Sequence, residues 1–170
     1  MMGVTVLIES RGGPVIMARR LRPAMSESMS EVGEIWHEKM LPNHFERFAM
    51  MKYNYAPRSR KYMARKEAGY TDQWGIHRAG HNRPLVWSGD TERSLKSSAT
   101  ITANSKGVTV KMLAQSYFYA YHKDFRQPDK AAEATRISYD ESARLERTLE
   151  AALSGRLDNI NETETTVFTG

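Results

Sequence analysis

A regular spacing of apolar side chains near the start of the chain constrains its fold more than any other sequence feature. These side chains recur at intervals of four, four, three, four and four residues, at Leu21, Met25, Met29, Val32, Trp36 and Met40. The spacing places them on one face of an amphipathic helix. Pro23 suits the first turn of that helix, and Pro42 interrupts or ends it. The sequence therefore predicts one long helix with a single apolar face.

Two details qualify this helix. Gly33 lies inside it and costs about 1 kcal/mol relative to alanine, which a close-packed neighbour would explain. After Pro42, Asn43 can cap a short continuation in which Phe45 and Phe48 keep the apolar face.

Alternating and β-branched stretches predict strands. Gly3–Glu9 indicates a first strand, and the residues from 116 to 125 indicate a late strand with aromatic side chains on both faces. Between them, Ala99–Ala103 and Val108–Met112 form a predicted hairpin joined by Asn-Ser-Lys-Gly. These strands are expected to form a small antiparallel sheet.

The C-terminal region predicts a second helix. Ser138 and Glu141 fit a capping box, leucines at 145, 149 and 153 supply an apolar stripe, and Gly155 is a plausible end. The expected fold is α+β, with a small antiparallel sheet, a long amphipathic helix packed on one face, a C-terminal helix and a long basic loop. At 170 residues the chain is expected to be a single domain, 1–170, with a loop at about 53–87 and a polar tail at about 156–170. Within the loop, residues 58–69 can form two helical turns closed by Gly69.

The charge of the chain is positive and uneven. Its net charge is +5 and its pI is about 9.5, which suggests an anionic partner or a solvated basic face. Bases dominate from Glu46 to Lys66, whereas acids outnumber bases from Glu133 to Glu164. Such a chain can meet copies of itself head to tail, although a basic loop and an acidic helix that both face water would explain the pattern equally well.

The composition excludes several classes of protein. The absence of cysteine excludes disulfides, cysteine nucleophiles and thiolate metal sites. No apolar run approaches the length of a membrane span, and the start of the sequence does not fit a signal peptide. We therefore expect a soluble, unexported protein with no membrane contact.

The Trp-Ser-Gly-Asp stretch resembles a nucleophile motif only superficially. Ser88 lacks the preceding glycine of a nucleophile elbow and has no evident triad partners. A structural turn is favoured, in which Asp90 or Thr91 caps the short helix that follows. The expected structural set, comprising an apolar plug and this turn, is Pro84, Leu85, Trp87, Ser88, Gly89 and Asp90.

The histidines do not form a convincing site in the sequence. His77 and His81 are four residues apart but lie in a glycine-containing loop, and no carboxylates converge on them or on His44. We expect no catalytic residues, no metal and no cofactor, and hence no enzyme. A small hydrolase or nuclease that uses His44, His77 or His81 is the alternative.

The basic stretch from residue 52 to residue 70 is the best functional candidate. Its bases alternate with tyrosines, a pattern that can contact phosphates while rings pack or stack. The alternative is an ordered loop whose tyrosines anchor it and whose arginines meet an acidic neighbour. The candidate contacts to a partner or to DNA are Lys52, Arg58, Arg60, Lys61, Arg65 and Lys66.

Three groups of residues together resemble a known class of proteins. They are Tyr62, Arg65 and Lys66; then Pro84, Leu85, Ser88, Gly89, Ser94 and Leu95; then the hairpin Ala99–Met112, followed by an acid-rich closing helix. This combination is similar to the virion-morphogenesis, tail-completion and minor tail-component families of tailed bacteriophages. Residues Tyr70–Asn82, with Trp74 and two histidines, are an insertion that does not belong to this pattern.

The resemblance implies a structural virion protein of the head–tail junction, a neck or tail-completion protein made in the host cytoplasm. Such a protein would form a homo-oligomeric ring and contact a head-side connector or adaptor, tail proteins and, in the channel, DNA. Two alternatives stay open: a nucleic-acid-binding module that uses residues 52–66, and a tail terminator protein.

Overall fold

The computed structural model of the chain describes residues 14–72, 74–86, 88–97, 99–112 and 129–166, with side chains from 19 to 158 within these ranges. The α+β class is confirmed: helices are combined with two small antiparallel sheets. The predicted strands at Gly3–Glu9 and at residues 116–125 lie outside the described residues, as does Trp87.

The first half of the described chain is mainly helical. Helix α1 spans Pro14–Ile35 and continues through a π-helical turn, Trp36–Met40, into a 3-10 helix, Leu41–Phe45. Helices α2, Ala49–Lys52, and α3, Arg60–Ala68, follow. Strands β1, Tyr70–Thr71, and β2, His77–Arg78, pair antiparallel, with Tyr70 opposite Arg78.

The second half contains the larger hairpin and the longest helix. Helix α4, Asp90–Ser97, precedes strands β3, Ala99–Asn104, and β4, Gly107–Met112, and these two strands pair with each other. Helix α5 spans Lys130–Ala134, and helix α6 spans Tyr139–Thr166. The predicted hairpin and both long helices are therefore confirmed.

The fold divides into two compact units that draw on separate stretches of chain. Unit 1 consists of Met1–Trp36, Thr100–Lys111 and Tyr139–Gly170, and unit 2 consists of His37–Ala99 and Met112–Ser138. Each unit is built from segments that lie far apart in the chain. The single domain expected from the sequence stays a prediction.

In unit 1, helix α1 packs against helix α6 and against the β3–β4 hairpin. Leu145, Leu149 and Leu153, the predicted stripe of α6, are all buried. Gly33 is buried against the hairpin, where an added Cβ would lie 2.7 Å from Val108 Cγ2 and 3.0 Å from Ile101 Cγ2. The close-packed neighbour expected for Gly33 is thus present.

Two predicted helix boundaries are wrong. Helix α1 begins at Pro14, so Pro23 lies inside it rather than in its first turn. Helix α6 continues past Gly155 to Thr166. Arg156 holds this extension, because its guanidinium donates to Glu27 at 3.2 Å, to Glu31 at 3.1 Å and to the Ala152 carbonyl at 3.0 Å. These bonds join the residue after Gly155 to α1 and to the preceding turn of α6, while the glycine itself costs the helix roughly 1 kcal/mol.

In unit 2, the core forms around the chain reversal after α1. Met40, Leu41, Phe45 and Ala49 are buried, and Ala49 belongs to a cluster with Tyr53 and Tyr55. Asn43 does not cap the continuation; its side-chain amide donates instead to the Lys39 carbonyl at 3.3 Å. Pro42 lies at the start of the 3-10 helix, where its missing N–H costs no helical bond.

Candidate interaction surface

Helix α3 carries most of the bases that the sequence singles out. Ser59 caps its start by accepting the backbone N–H of Tyr62 at 3.2 Å, and Gly69 ends it with a φ of 81°. Arg60, Lys61 and Arg65 are exposed. At about 100° per residue these three side chains share one side of the helix, and Lys66 lies on the other. The helix therefore presents a basic face, defined here as Arg60, Lys61 and Arg65.

Lys66 belongs to the interior. Its side chain is buried, with 4% of the residue exposed, and its ammonium donates to the Arg83 carbonyl. Burial, together with the nearby charges of Arg58, Arg83 and Lys130, lowers the pKa of Lys66 to about 8. This amine fixes the end of the 69–83 segment and is not offered to a partner.

Arg58 is also internal, since only 12% of its side chain is exposed. It forms an ion pair with Glu133 of α5, whose Oε1 also accepts the Ala56 backbone N–H at 3.0 Å. A bidentate arginine–carboxylate pair of low exposure is a structural link. Arg58 therefore joins the segment before α3 to α5.

Lys52 occupies an intermediate position at the end of α2. It is half-buried, and its Nζ lies 5.0 Å from the centre of the Tyr53 ring. Of the six candidate contact residues, the structure thus brings three together on the basic face and places Arg58 and Lys66 inside unit 2.

The tyrosines and His44 form a stacked core. The rings of His44 and Tyr53 are 3.8 Å apart and nearly parallel, at 11°. His44 Nδ1 lies 3.1 Å from the Glu133 carbonyl oxygen and 2.5 Å from the Tyr55 hydroxyl. Because a carbonyl oxygen only accepts, the first bond requires the proton on Nδ1. His44 is fully buried, and its stacking and hydrogen bonds fit a structural role.

The other candidate histidines lie in and after strand β2. His77 is exposed on β2, and His81 is half-buried just after it, where its backbone N–H donates to the Lys66 carbonyl at 3.1 Å. In the described ranges, no group of three or more His, Cys, Asp or Glu is arranged to hold a metal ion.

The segment from Pro84 to Asp90 contains the predicted turn. Pro84 is buried, and Leu85 packs against the cluster of Ala49, Tyr53 and Tyr55 with a φ of 56°. The Ser88 hydroxyl donates to Asp90 Oδ2 at 2.6 Å, and Gly89 has a φ of 88°. Helix α4 begins at Asp90 itself, so this aspartate is its first residue and not its cap.

Sequence reasoning missed the β1–β2 hairpin and treated it as loop. Its tip, Asp72–Ile76, exposes two large apolar side chains, Trp74 at 74% and Ile76 at 52%. The pair Asp72 and Gly75, three residues apart between Tyr70 and Ile76, is a local signal from which a turn could have been predicted.

Comparisons with protein families, with curated proteins and with solved structures gave no match to this chain. No helix in the described part of the chain has the length and apolar character needed to cross a membrane.

Proposed function

We propose that the chain is a structural protein of a tailed-phage virion that assembles into a ring at the head–tail junction, as a neck or tail-completion protein. The division of charge between the two units carries this proposal. Unit 2 contains 16 Lys and Arg against 9 Asp and Glu, whereas unit 1 contains 9 against 11. Excess charge of opposite sign at two places on one subunit favours head-to-tail contact between copies, which closes into a ring when the rotation allows it.

The basic face supports the same proposal. Its three cations are exposed on one side of a capped helix, where an acidic surface can approach them. Such contacts steer association and set its register more than they add affinity. The resemblance of the region from about Trp36 to Leu153 to tail-completion and minor tail-component proteins supplies the setting, which is a ring that joins the head connector to the tail.

Charge reversal on the basic face tests the proposal. The variant Arg60→Glu with Lys61→Glu should fold normally, because acidic residues suit the first turn of a helix. Electron microscopy of the purified wild-type protein should show rings, and the variant should remain monomeric. Antibodies against the chain should label the head–tail junction of virions that contain it.

A matched control separates the position of the charge from its total. Lys39→Glu with Arg47→Glu changes the net charge equally, and both residues are exposed in unit 2. This control should still form rings. Normal rings and virions from the Arg60–Lys61 variant would contradict the proposal.

The same face also fits a nucleic-acid-binding module, the second candidate. In that case the purified wild-type chain should bind free DNA with an affinity that falls steeply as salt increases. DNA binding without self-association would favour this candidate, and self-association without DNA binding at low salt would remove it. A tail terminator would cap isolated tails in the same micrographs.

A further inference from the structure

The β3–β4 hairpin has one apolar face and one polar face. Side-chain atoms of Ile101, Val108 and Val110 all lie within 3.4 Å of a Cβ placed at Gly33 of helix α1. These apolar side chains therefore lie on the same side of the two strands and pack against the helix. The alternation of side chains along a strand directs the intervening residues to the other side, which faces solvent.

The polar side of the hairpin is named here the outward face. Its side chains are exposed at every second position of the strands, and one more is exposed in the turn. The six members of the outward face are Thr100, Thr102, Asn104, Lys106, Thr109 and Lys111. Every one of them carries a hydrogen-bonding group, and the set includes no acidic, aromatic or aliphatic side chain.

The charge of the outward face is positive. Residues 99–112 contain two lysines and no Asp or Glu, and neither lysine ammonium has an ion-pair partner among the described residues. The hairpin is held on α1 by the packing at Gly33 and by the Ser26 hydroxyl, which donates to the Ala103 carbonyl at 3.1 Å. The sheet thus lies between α1 and the outward face. A rigid surface that presents cations without carboxylates favours an anionic partner.

The composition of the outward face also indicates which anionic partner fits. Contacts between proteins depend mainly on Trp, Tyr and Arg, whereas threonine is under-represented among residues that dominate the binding energy. Single-stranded nucleic acids bind by stacking on aromatic rings, and the outward face has none. Lysine, threonine and asparagine side chains bind the phosphate oxygens of duplex DNA, and a two-stranded ribbon is narrow enough for its major groove.

We propose that the outward face of the β3–β4 hairpin binds the backbone of double-stranded DNA. Lys106 and Lys111 pair with phosphates, and the hydroxyls of Thr100, Thr102 and Thr109 donate to phosphate oxygens. Contacts of this kind read no base edges, so the binding is independent of sequence. This surface belongs to unit 1 and is distinct from the basic face of α3. The inference goes beyond the proposed function, because it does not require a ring to form.

The salt dependence of binding tests the role of the lysines. The affinity of the full chain for a short fluorescent DNA duplex is measured by anisotropy between about 50 and 200 mM salt. The lysine variant is Lys106→Gln with Lys111→Gln. Each lost phosphate contact reduces the slope of log K against log salt by about 0.9, so the slope of this variant should be smaller by about 1.8.

A matched control changes the same number of charges elsewhere. Lys39→Gln with Arg47→Gln removes two exposed cations that lie outside the hairpin and outside the basic face. This control should bind the duplex with the slope and the affinity of the wild type. Circular dichroism of each variant should match that of the wild type.

A second variant separates hydrogen bonds from charge. Thr102→Val with Thr109→Val removes two hydroxyls and keeps β-branched side chains that suit a strand. The loss of two neutral donors should weaken binding by about fivefold or more. The salt slope should stay that of the wild type, since no cation is removed.

Several outcomes would overturn the inference. A wild-type chain that does not bind the duplex at about 50 mM salt would do so, as would a lysine variant that keeps the wild-type slope. A reduced slope in Arg60→Gln with Lys61→Gln, and not in the lysine variant, would place the DNA on the basic face of α3 instead. A single strand that binds as tightly as the duplex would contradict the choice of a double helix. Ring formation and virion labelling are measured separately, so a failure of this inference is distinguishable from a failure of the proposed function.

Discussion

Gly33 of helix α1 lies against Val108 of strand β4 so closely that a methyl group at position 33 would be 2.7 Å from Val108 Cγ2. Real Cβ contacts are longer than this, so the valine or the helix would have to move. The glycine is therefore a condition for the docking of the helix on the hairpin. Its cost to helix stability is offset by the packing of Val108, Ile101 and Val110 against the bare backbone.

The substitution Gly33→Ala should destabilise the protein. The gain in helix propensity is about 1 kcal/mol, and overpacking in a filled site costs about 1–3 kcal/mol, so a net loss of about 1 kcal/mol in the free energy of unfolding is expected. Gly155→Ala is the matched control, because nothing lies within 4 Å of its added Cβ. It should stabilise helix α6 by up to about 1 kcal/mol. Urea unfolding measures the free energy of unfolding of both variants. Equal changes in this free energy for the two variants would contradict the packing role of Gly33.

Arg58 and Arg60 should respond differently to the same substitution. Arg58→Ala leaves the buried Glu133 carboxylate without its ion-pair partner, and breaking such a pair costs about 3–5 kcal/mol. Arg60→Ala removes an exposed side chain and should change stability by less than about 0.5 kcal/mol. Thermal and denaturant unfolding of the two variants give the comparison. Similar effects would mean that the Arg58–Glu133 link does not stabilise the fold.

The pH dependence of stability should carry the signature of Lys66. Burial lowers the pKa of this amine to about 8 in the folded state, against 10.5 in the unfolded state. Between these values the unfolded chain binds more protons, so the free energy of unfolding rises with pH. This increase in the free energy of unfolding is absent at neutral pH. There, Lys66 is protonated in both states, and the folded state carries a buried charge. Relative to Lys66→Met, the wild type should gain about 2 kcal/mol between pH 7 and pH 10.

The Lys66→Met comparison is needed because other groups titrate in the same range. Lys130 has a pKa lowered by burial and by Arg58, and Tyr62 has a pKa raised by burial. Both groups are present in the wild type and in the variant, so their own titrations largely cancel in the difference, which leaves the titration of Lys66 and its coupling to Lys130. If the free energy of unfolding changes with pH in the same way in both proteins, the pKa of Lys66 is not lowered by its surroundings.

The long helices and the β3–β4 hairpin could be predicted because their signals are local. The apolar spacing from Leu21 to Met40 and the alternation on both sides of Asn-Ser-Lys-Gly are read from neighbouring residues. The helix end expected at Gly155 was wrong because a distant contact extends the helix, whereas the start expected near Pro23 was wrong because the helix begins earlier, at Pro14. Arg156 holds α6 through carboxylates more than 120 residues earlier in the chain.

The sequence correctly indicated the segment that contains the basic face. It did not indicate which of the bases in that segment are exposed and which are buried. Arg58 and Arg60 are the same residue type two positions apart, yet one is drawn inward by Glu133, which is 75 residues away. Sequence patterns do not report such a partner. The hairpin tip was missed because its strands are only two residues long and have no period of their own.

Asp72 should control the order of the hairpin tip. Asp72→Ala removes the acceptor for the Trp74 and Ile76 N–H groups, so the turn loses two of the hydrogen bonds that fix its backbone. Asp72→Asn keeps a side-chain oxygen for these bonds and removes only the ion pair with Arg78. We expect the alanine variant to increase the rate of amide hydrogen exchange at Trp74 and Ile76 by about tenfold, and the asparagine variant by less than about threefold. Hydrogen exchange followed by NMR measures both rates. If the asparagine variant loses as much protection as the alanine variant, the charge of Asp72 and not its hydrogen bonds would be the feature that orders the turn.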